Sequence, residues 1–252
     1  MRIAISGTAC QGKTTLITDF LEQWPSYTTP EKTYRDIIKE NNLDHSSKTN
    51  KKTQKKILDF MIEEQKKYRN SDNVIFDRCP LDNLVYSMWA TEQSDLDIDD
   101  KFVQECIPLV RDSYSNLDII FFTPITKVAP VELTEDDLRD TDPKAIEEID
   151  NIFKAMHRDY MTNDESVFFK KDDKPGIIEV FGNQRERIQI LKLYIDAEGD
   201  IHAGGDLIDE DMLSDIKALS GVWKDVDPTE QSHLRKTIEH QIEKDKTSRL
   251  NK

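Results

Sequence analysis

The sequence contains few cysteines and no long apolar run. Its three cysteines, Cys10, Cys79 and Cys106, are an odd number, and none is spaced as a CxxC pair. This set argues against a disulfide framework and against a structural zinc site. No stretch approaches the roughly 18 apolar residues that span a bilayer, and the opening MRIAISG is too short for a signal peptide. We therefore expect a cytoplasmic protein with no membrane partner.

An excess of positive charge is also missing. The chain has 35 Lys and Arg against 50 Asp and Glu, a net charge of −15, so most of its surface should repel phosphates. Residues 44–69 are the exception, with eight basic and four acidic side chains. These basic residues either lie on a solvated helix face or form a local binding surface for DNA, centred on Lys48, Lys51, Lys52, Lys55 and Lys56.

Short apolar segments alternate along the chain with helical patterns. Strands are predicted at residues 2–6, 73–76, 118–122 and 177–181, with a weaker one at residues 26–29. Helices are predicted at residues 13–24, 50–68, 84–91, 101–113 and 185–191, one more starts near Glu31, and another opens at Asp142 and Pro143. This alternation favours right-handed crossovers and a mostly parallel sheet. We predict an α/β domain over residues 1–195.

The tail, residues 196–252, differs in composition from the rest of the chain. It holds eight basic and 14 acidic residues. Residues 194–202 resemble a hairpin with its turn at Glu198 and Gly199, and Leu234, Ile238 and Ile242 recur at helical spacing near the end. We predict an acidic C-terminal appendage, a hairpin followed by a helix, that docks on the core or on a partner.

A complete GxxxxGK[ST] motif lies between the first predicted strand and the first predicted helix. Backbone N–H groups of such a loop turn toward the phosphates, and the helix dipole adds to the attraction. Lys13 is expected to reach the β- and γ-phosphates, while the hydroxyl of Thr14 is expected to bind Mg²⁺. The sequence therefore predicts an ATP site with Mg²⁺, formed by Gly7, Thr8, Ala9, Cys10, Gln11, Gly12, Lys13, Thr14 and Thr15.

An acid and an arginine, Asp77 and Arg78, follow the predicted strand at residues 73–76. Ligands of a parallel sheet bind at the carboxyl ends of its strands, so this pair should face the phosphate loop. Asp77 is predicted to bind Mg²⁺ or to accept the proton of an acceptor hydroxyl. Arg78 is predicted to hold an acceptor phosphate or sugar with its planar guanidinium.

A second acid lies after the weak strand. Glu31 is followed by Tyr34 and Arg35. The spacing of Glu31 and Arg35 also fits a simple ion pair on a helix surface. The functional alternative is an acceptor-binding group in which Glu31 is the general base.

Arg139 is the one basic residue in the acidic stretch 135–140. A lone arginine among acids usually neutralises charge. Its place before the helix at Pro143 also suits a mobile lid that brings a guanidinium onto the γ-phosphate. We predict this lid role for Arg139.

Five segments together resemble the P-loop kinase-like family, whose domain is also known as an AAA-type ATPase. They are GTACQGKTT, TPEKTYRD, VIFDRCPLDNLVYSMW, LRDTDPKAIEEIDNIFK and IIEVFGNQRERI. The family includes ribosylnicotinamide-kinase-like domains and many bacteriophage kinases, and thymidylate and deoxynucleoside kinases are similar at the same segments. The resemblance covers residues 1–195 and not the tail.

This resemblance implies a P-loop NTPase three-layer sandwich with a mostly parallel sheet. It further implies phosphoryl transfer from ATP with Mg²⁺, a phosphate-binding Lys13 and a lid with Arg139. The acceptor site would then lie around Glu31, Arg35, Asp77 and Arg78. A phage member of the family would act in the host cytoplasm.

Three functions remain open on the sequence alone. The first is a kinase of a nucleoside- or nucleotide-like acceptor. The second is a kinase of hydroxymethylated pyrimidine bases within DNA, for which phage relatives and the lysines of residues 48–56 are the argument. The third is an ATP-binding switch that is not a kinase, and ATP consumption with and without each acceptor distinguishes the three.

Overall fold

Four parallel strands form the sheet at the centre of the fold. The computed structural model describes residues 1–44, 48–68, 73–126, 142–170 and 174–201. The strands are β1 (Arg2–Ser6), β2 (Val74–Asp77), β3 (Ile119–Phe122) and β4 (Gly176–Glu179), and they lie in the order β2-β1-β3-β4. Every pairing in this sheet is parallel. The four main strand predictions are confirmed.

Seven α-helices lie within the described residues. They are α1 (Lys13–Gln23), α2 (Tyr34–Glu40), α3 (Lys51–Lys67), α4 (Pro80–Thr91), α5 (Asp100–Ser113), α6 (Pro143–Thr162) and α7 (Gln184–Lys192). Local signals fix several of their starts. The side chain of Asn50 accepts a hydrogen bond from the Thr53 N–H at 2.9 Å and caps α3, and Pro143 occupies the first turn of α6, where its missing N–H costs nothing.

Helices cover both faces of the sheet. On one face Ile3, Ile5 and Ile75 pack with the apolar sides of α1 and α7. On the other face Ala4 and Phe76 pack with side chains of α3, α4, α5 and α6. Neighbouring residues of each strand are therefore buried on opposite faces, which is why the strands read as continuous apolar runs. The predicted three-layer α/β sandwich is confirmed.

Three local predictions are corrected. The weak strand at residues 26–29 is a single parallel bridge between Thr28 and Val74. Helix α2 begins at Tyr34 rather than near Glu31, because Thr33 and Asp36 form a capping box there. Helix α4 begins at Pro80 rather than at Leu84.

The start of the tail docks on the end of α1. Ile195 forms an antiparallel bridge with Ile201, and the turn contains Gly199 with φ 94°. The indole N–H of Trp24 donates to the Asp196 carbonyl at 2.7 Å, and the Tyr27 hydroxyl donates to the Gly199 carbonyl at 2.6 Å. The rest of the predicted appendage, residues 202–252, lies outside the described residues. The boundary at residue 195 stays a prediction.

These two hydrogen bonds predict where the tail can be removed. A chain ending at Ile201 should fold and bind ATP as the full chain does, because it keeps the carbonyls of Asp196 and Gly199 that accept these two hydrogen bonds. A chain ending at Ile195 should lose about 1–3 kcal/mol of unfolding free energy, since two buried donors lose their acceptors. Thermal unfolding and ATP titration of both chains test this. A folded 1–201 chain that fails to bind ATP would contradict it.

Candidate active site

The carboxyl edge of the sheet gathers the predicted site. Strand β1 leads directly into the phosphate loop, β2 ends at Asp77, and β3 is followed by Thr123. The register pairs Ile5 with Asp77 and Ser6 with Phe122. Because all the strands are parallel, these ends meet at one edge, where open α/β sheets bind ligands.

The phosphate loop adopts a backbone that needs its two glycines. Gly7 has φ 136° and Gly12 has φ 67°, both in the region that favours glycine. A Cβ on Gly7 would lie 2.6 Å from Thr123 Oγ1, closer than real contacts allow. Gly12 is also the N-cap of α1. The loop therefore presents successive backbone N–H groups at the amino end of a helix, the arrangement that binds phosphate.

Lys13 is buried beneath this loop, and its Nζ donates to the carbonyl of Thr8. Burial, followed by the nearby charge of Arg78, lowers the pKa of the Lys13 ammonium to about 7. Such a group gains its full charge when an anion arrives beside it. Thr14 and Thr15, in the first turn of α1, are exposed.

Arg78 is folded inward against the phosphate loop. Its φ of 75° is unusual for a residue with a side chain, and such conformations cluster at functional sites. Its Nη1 donates to the Gly7 carbonyl and to Asp82 Oδ1, each at 3.0 Å, and its Nη2 donates to the Tyr86 hydroxyl at 3.2 Å. The predicted acceptor-binding arginine thus contacts the predicted ATP-binding loop.

Asp82 is a residue of this cluster that the sequence analysis missed. It is only 1% exposed. Its Oδ1 also accepts from the Gly7 N–H at 3.1 Å, and its Oδ2 accepts from the Cys79 N–H at 3.0 Å. The available signal was Pro80, which favours the first position of a helix and would have placed Asp82 in the first turn of α4.

Asp77 is half-buried at the end of β2. Its Oδ1 is inaccessible to solvent and has no hydrogen-bond partner within the described part of the chain. The negative charge of Asp77 favours the protonated forms of Lys13, Arg35 and Arg78. A buried carboxylate oxygen without a donor is suited to binding a cation or an acceptor hydroxyl.

Tyr34, Arg35 and Tyr86 extend the cluster toward solvent. The Arg78 guanidinium lies 5.5 Å from the centre of the Tyr34 ring and 5.0 Å from that of Tyr86, within the range of a cation–π contact. Arg35 lies 5.5 Å from the same Tyr34 ring, and its Nε donates to the Tyr34 hydroxyl at 3.2 Å. Aromatic faces and guanidinium groups in one wall suit an acceptor with both a planar ring and an anionic or hydroxyl group.

Of the other two predicted residues, only Glu31 belongs to the described part of the chain. Glu31 is exposed and precedes α2. The interpretation of Glu31 and Arg35 as a helical ion pair is wrong, because the helix begins three residues after Glu31. Arg139 lies outside the described residues, and its lid role stays a prediction.

Two further features bear on the site. In the described ranges no helix is both long and apolar enough to span a membrane. Nor do the side chains described there include a group of three or more His, Cys, Asp or Glu placed to hold a metal ion.

Comparison with known proteins identifies the family of this chain. A family model described as AAA domain matches residues 2–163. The chain belongs to this family. No curated protein matches the chain significantly.

Solved structures with the same fold include two proteins with nucleotides bound. Deoxyadenosine kinase from M. mycoides, with dCMP and a flexible dCDP bound, is 16% identical with a TM-score of 0.51, over 76% of this chain and 96% of that one. The NadR protein in complex with NAD and AMP-PNP is 14% identical with a TM-score of 0.53, over 76% of this chain and 48% of that one. Together with the family match, these structures identify a P-loop kinase-like fold.

The AAA-domain match covers the phosphate loop, Asp77, Arg78 and all of α6, and it ends before β4 and α7. The last strand and the last helix of the sandwich therefore lie outside the residues that the family model matches. Arg187 of α7 nevertheless contacts the phosphate loop, through a hydrogen bond to the Gln11 carbonyl.

Proposed function

We propose that this protein is an ATP-dependent kinase that transfers the γ-phosphoryl group to a hydroxyl or phosphate of a small nucleoside- or nucleotide-like acceptor. The observation that carries this proposal is the contact of Arg78 with Gly7 beside the orphaned Oδ1 of Asp77. Groups suited to an acceptor are thereby next to a loop suited to ATP. The neighbours of known activity, including a deoxyadenosine kinase, support the same chemistry.

The residues divide into a donor side and an acceptor side. On the donor side, backbone N–H groups within residues 8–15 and the Nζ of Lys13 bind the β- and γ-phosphates. On the acceptor side, Arg78 and Arg35 hold the anionic or hydroxyl groups of the acceptor, with Tyr34 against its ring. An oxygen of the acceptor then forms a bond to the γ-phosphorus. At the same time the bond between the γ-phosphorus and the oxygen that bridges it to the β-phosphate breaks, and ADP leaves.

The proton of an acceptor hydroxyl requires a base. Asp77 is the better candidate, because its buried Oδ1 has no donor among the described residues and lies at the edge where the phosphate loop begins. Glu31 is exposed in the chain without ligands. Its predicted role as base therefore requires the acceptor, or a closed form of the site, to bring it near. A phosphate acceptor needs no base, since its oxygen is already ionised.

The residues present fit Mg²⁺ bound together with ATP. Thr14 is exposed at the first turn of α1, and the half-buried carboxylate of Asp77 is a hard anionic ligand of the kind this ion prefers. Magnesium usually takes one or two protein ligands and completes its shell with phosphate oxygens and water. When bound it would neutralise the charge on the phosphates.

A transfer assay across acceptors tests the proposal. With ATP labelled on the γ-phosphate, we expect label on at least one nucleoside or nucleoside monophosphate and none on DNA. Hydrolysis of ATP that no acceptor accelerates would instead support the switch without kinase activity. Label on hydroxymethylated DNA alone would support the DNA-base kinase.

The DNA-base alternative has less support because the lysines of α3 are largely paired. Five lysines near the predicted DNA surface have partners, and most of these partners are carboxylates. The contacts are Lys51 with Asp99 at 2.6 Å, Lys55 with Asp59, Lys56 with Asn41, Lys66 with Glu63 at 2.7 Å, and Lys67 with Glu64. Lys48 and Lys52 are exposed. Paired lysines offer little net charge to a phosphate backbone.

Salt dependence gives the transfer assay a second readout. Replacing Lys51, Lys52 and Lys55 with Gln should barely change the acceptor KM at any salt concentration, because a small acceptor carries few charges. A DNA acceptor would behave differently: the log–log slope of affinity against salt would flatten by roughly two to three units. Such flattening would contradict the small-acceptor proposal.

A further inference from the structure

Arg187, on the last helix of the sandwich, is buried against the phosphate loop. Its side chain is 6% exposed. The Nε donates to the Gly182 carbonyl at 2.9 Å, and Nη1 donates to the Gln11 carbonyl at 2.5 Å. One guanidinium thus joins the segment after β4 to the part of the phosphate loop just before Lys13.

The charge of this guanidinium has no carboxylate partner within the described chain. The other buried arginine at the site, Arg78, is paired with Asp82 at 3.0 Å, and Arg2 is paired with Asp118 at 2.7 Å. Burial alone lowers the pKa of Arg187, with no opposing charge beside it. Carbonyl dipoles compensate a buried cation only in part, and an unpaired buried charge is unfavourable. Arg187 therefore carries a buried positive charge that no carboxylate of the described residues neutralises.

The contact also fixes the direction of a backbone donor. In a planar trans peptide the C=O of one residue and the N–H of the next point in opposite directions. Because Arg187 holds the Gln11 carbonyl, the Gly12 N–H points away from Arg187. Among the described residues this N–H donates to no protein acceptor, and a Cβ on Gly12 would lie 3.4 Å from Arg187 Nη1. The Gly12 N–H therefore points to the inner side of the loop, where a ligand can accept a hydrogen bond from it.

We propose that Arg187 is a positioning residue for the nucleotide phosphates. It orients the Gly12 N–H toward the bound phosphate, and the triphosphate supplies the counter-charge that the described residues do not give to Arg187. This inference rests on the proposed binding of ATP. It assigns a nucleotide-site role to α7, which lies beyond the matched residues 2–163.

Two substitutions separate charge from geometry. Arg187→Met removes the charge and both hydrogen bonds, while Arg187→Lys keeps a charge with a single donor group. A matched control is Arg185→Met, because Arg185 is exposed on the same helix. Calorimetry on the full-length chain would measure the Kd of ATP, ADP and adenosine, and the Tm of each variant without nucleotide would show whether it is folded.

We expect Arg187→Met to weaken ATP binding about tenfold to a hundredfold, the value of a charge-assisted interaction. ADP should lose less and adenosine almost nothing, because the effect acts on phosphates. Arg187→Lys should recover part of the ATP affinity, and Arg185→Met should bind as wild type does.

The inference is overturned if folded Arg187→Met binds ATP as tightly as wild type. It is also overturned if adenosine loses as much affinity as ATP, since the residue would then only support the fold. If Arg187→Met does not fold, Arg187→Lys decides: equal losses for ATP and adenosine overturn the inference. A wild-type protein that binds no ATP would instead overturn the proposed function itself.

Discussion

Lys13→Ala is expected to lower the kcat of phosphoryl transfer by about a thousandfold or more while the protein stays folded. The Nζ of Lys13 is buried beneath the phosphate loop, and its charge would act on the transferring phosphoryl group. In water such a charge would be screened, but in this buried site it is not. Single-turnover kinetics with saturating ATP and the acceptor found in the transfer assay measure the effect.

The matched control is Lys101→Ala, which removes an exposed lysine from α5 far from the phosphate loop. It should leave kcat unchanged. A Lys13→Ala protein that turns over near the normal rate would contradict the kinase proposal. If Lys13→Ala shows no cooperative unfolding transition, Lys13→Met is compared with wild type instead, because methionine keeps the apolar stem of the side chain.

The pKa of Lys13 adds a readout that does not depend on the acceptor. With a pKa of about 7 in the chain without ligands, this amine is mostly neutral at pH 8. Binding of ATP favours the charged form, so the complex should take up close to one proton at pH 8. Linkage then requires ATP affinity to fall as pH rises above about 7. Calorimetry in buffers of different ionisation enthalpy should detect this uptake in wild type and not in Lys13→Met.

Asp77→Asn is the second substitution for which we expect a large effect, a fall in kcat of about a hundredfold to ten-thousandfold. The amide has the same size as the carboxylate but cannot accept the acceptor's proton, and it is a weaker ligand for Mg²⁺. Affinity for ATP in the absence of Mg²⁺ should change little, because the phosphate loop remains intact.

Two further measurements separate the roles proposed for Asp77. If the carboxylate binds the metal, Asp77→Asn should raise the Mg²⁺ concentration that gives half-maximal rate. If it is the base, the Mg²⁺ dependence should stay as in wild type, while the acidic limb of the pH–rate profile disappears. An unchanged kcat would exclude both roles.

Asp118→Asn is a suitable control for this experiment. Asp118 is also a partly buried carboxylate beside a strand, but it precedes β3 and therefore lies at the opposite edge of the sheet. Its pairing with Arg2 at 2.7 Å means that the substitution should lower stability. It should leave kcat unchanged, so that a general loss of stability cannot account for the effect at Asp77.

The sequence by itself determined the features that depend on neighbouring residues. The phosphate loop is recognisable because its glycines, lysine and threonine are contiguous and follow an apolar strand. The limits of α3 follow from Asn50 at its start and from the apolar stripe along it. Asp77 and Arg78 could be assigned to the site because parallel strands place their carboxyl ends together. Each of these signals spans a few residues or follows from one topological rule.

Only the tertiary structure decided how distant residues share charge and hydrogen bonds. Asp82 contacts Gly7 across 75 positions and Arg187 contacts Gln11 across 176, and nothing in either local sequence indicates these pairs. The same is true of Lys51, whose partner Asp99 caps the start of another helix, α5. A run of lysines shows how much charge is present locally but not what neutralises it. That depends on which surfaces pack together, and packing is set by the whole chain rather than by any one segment.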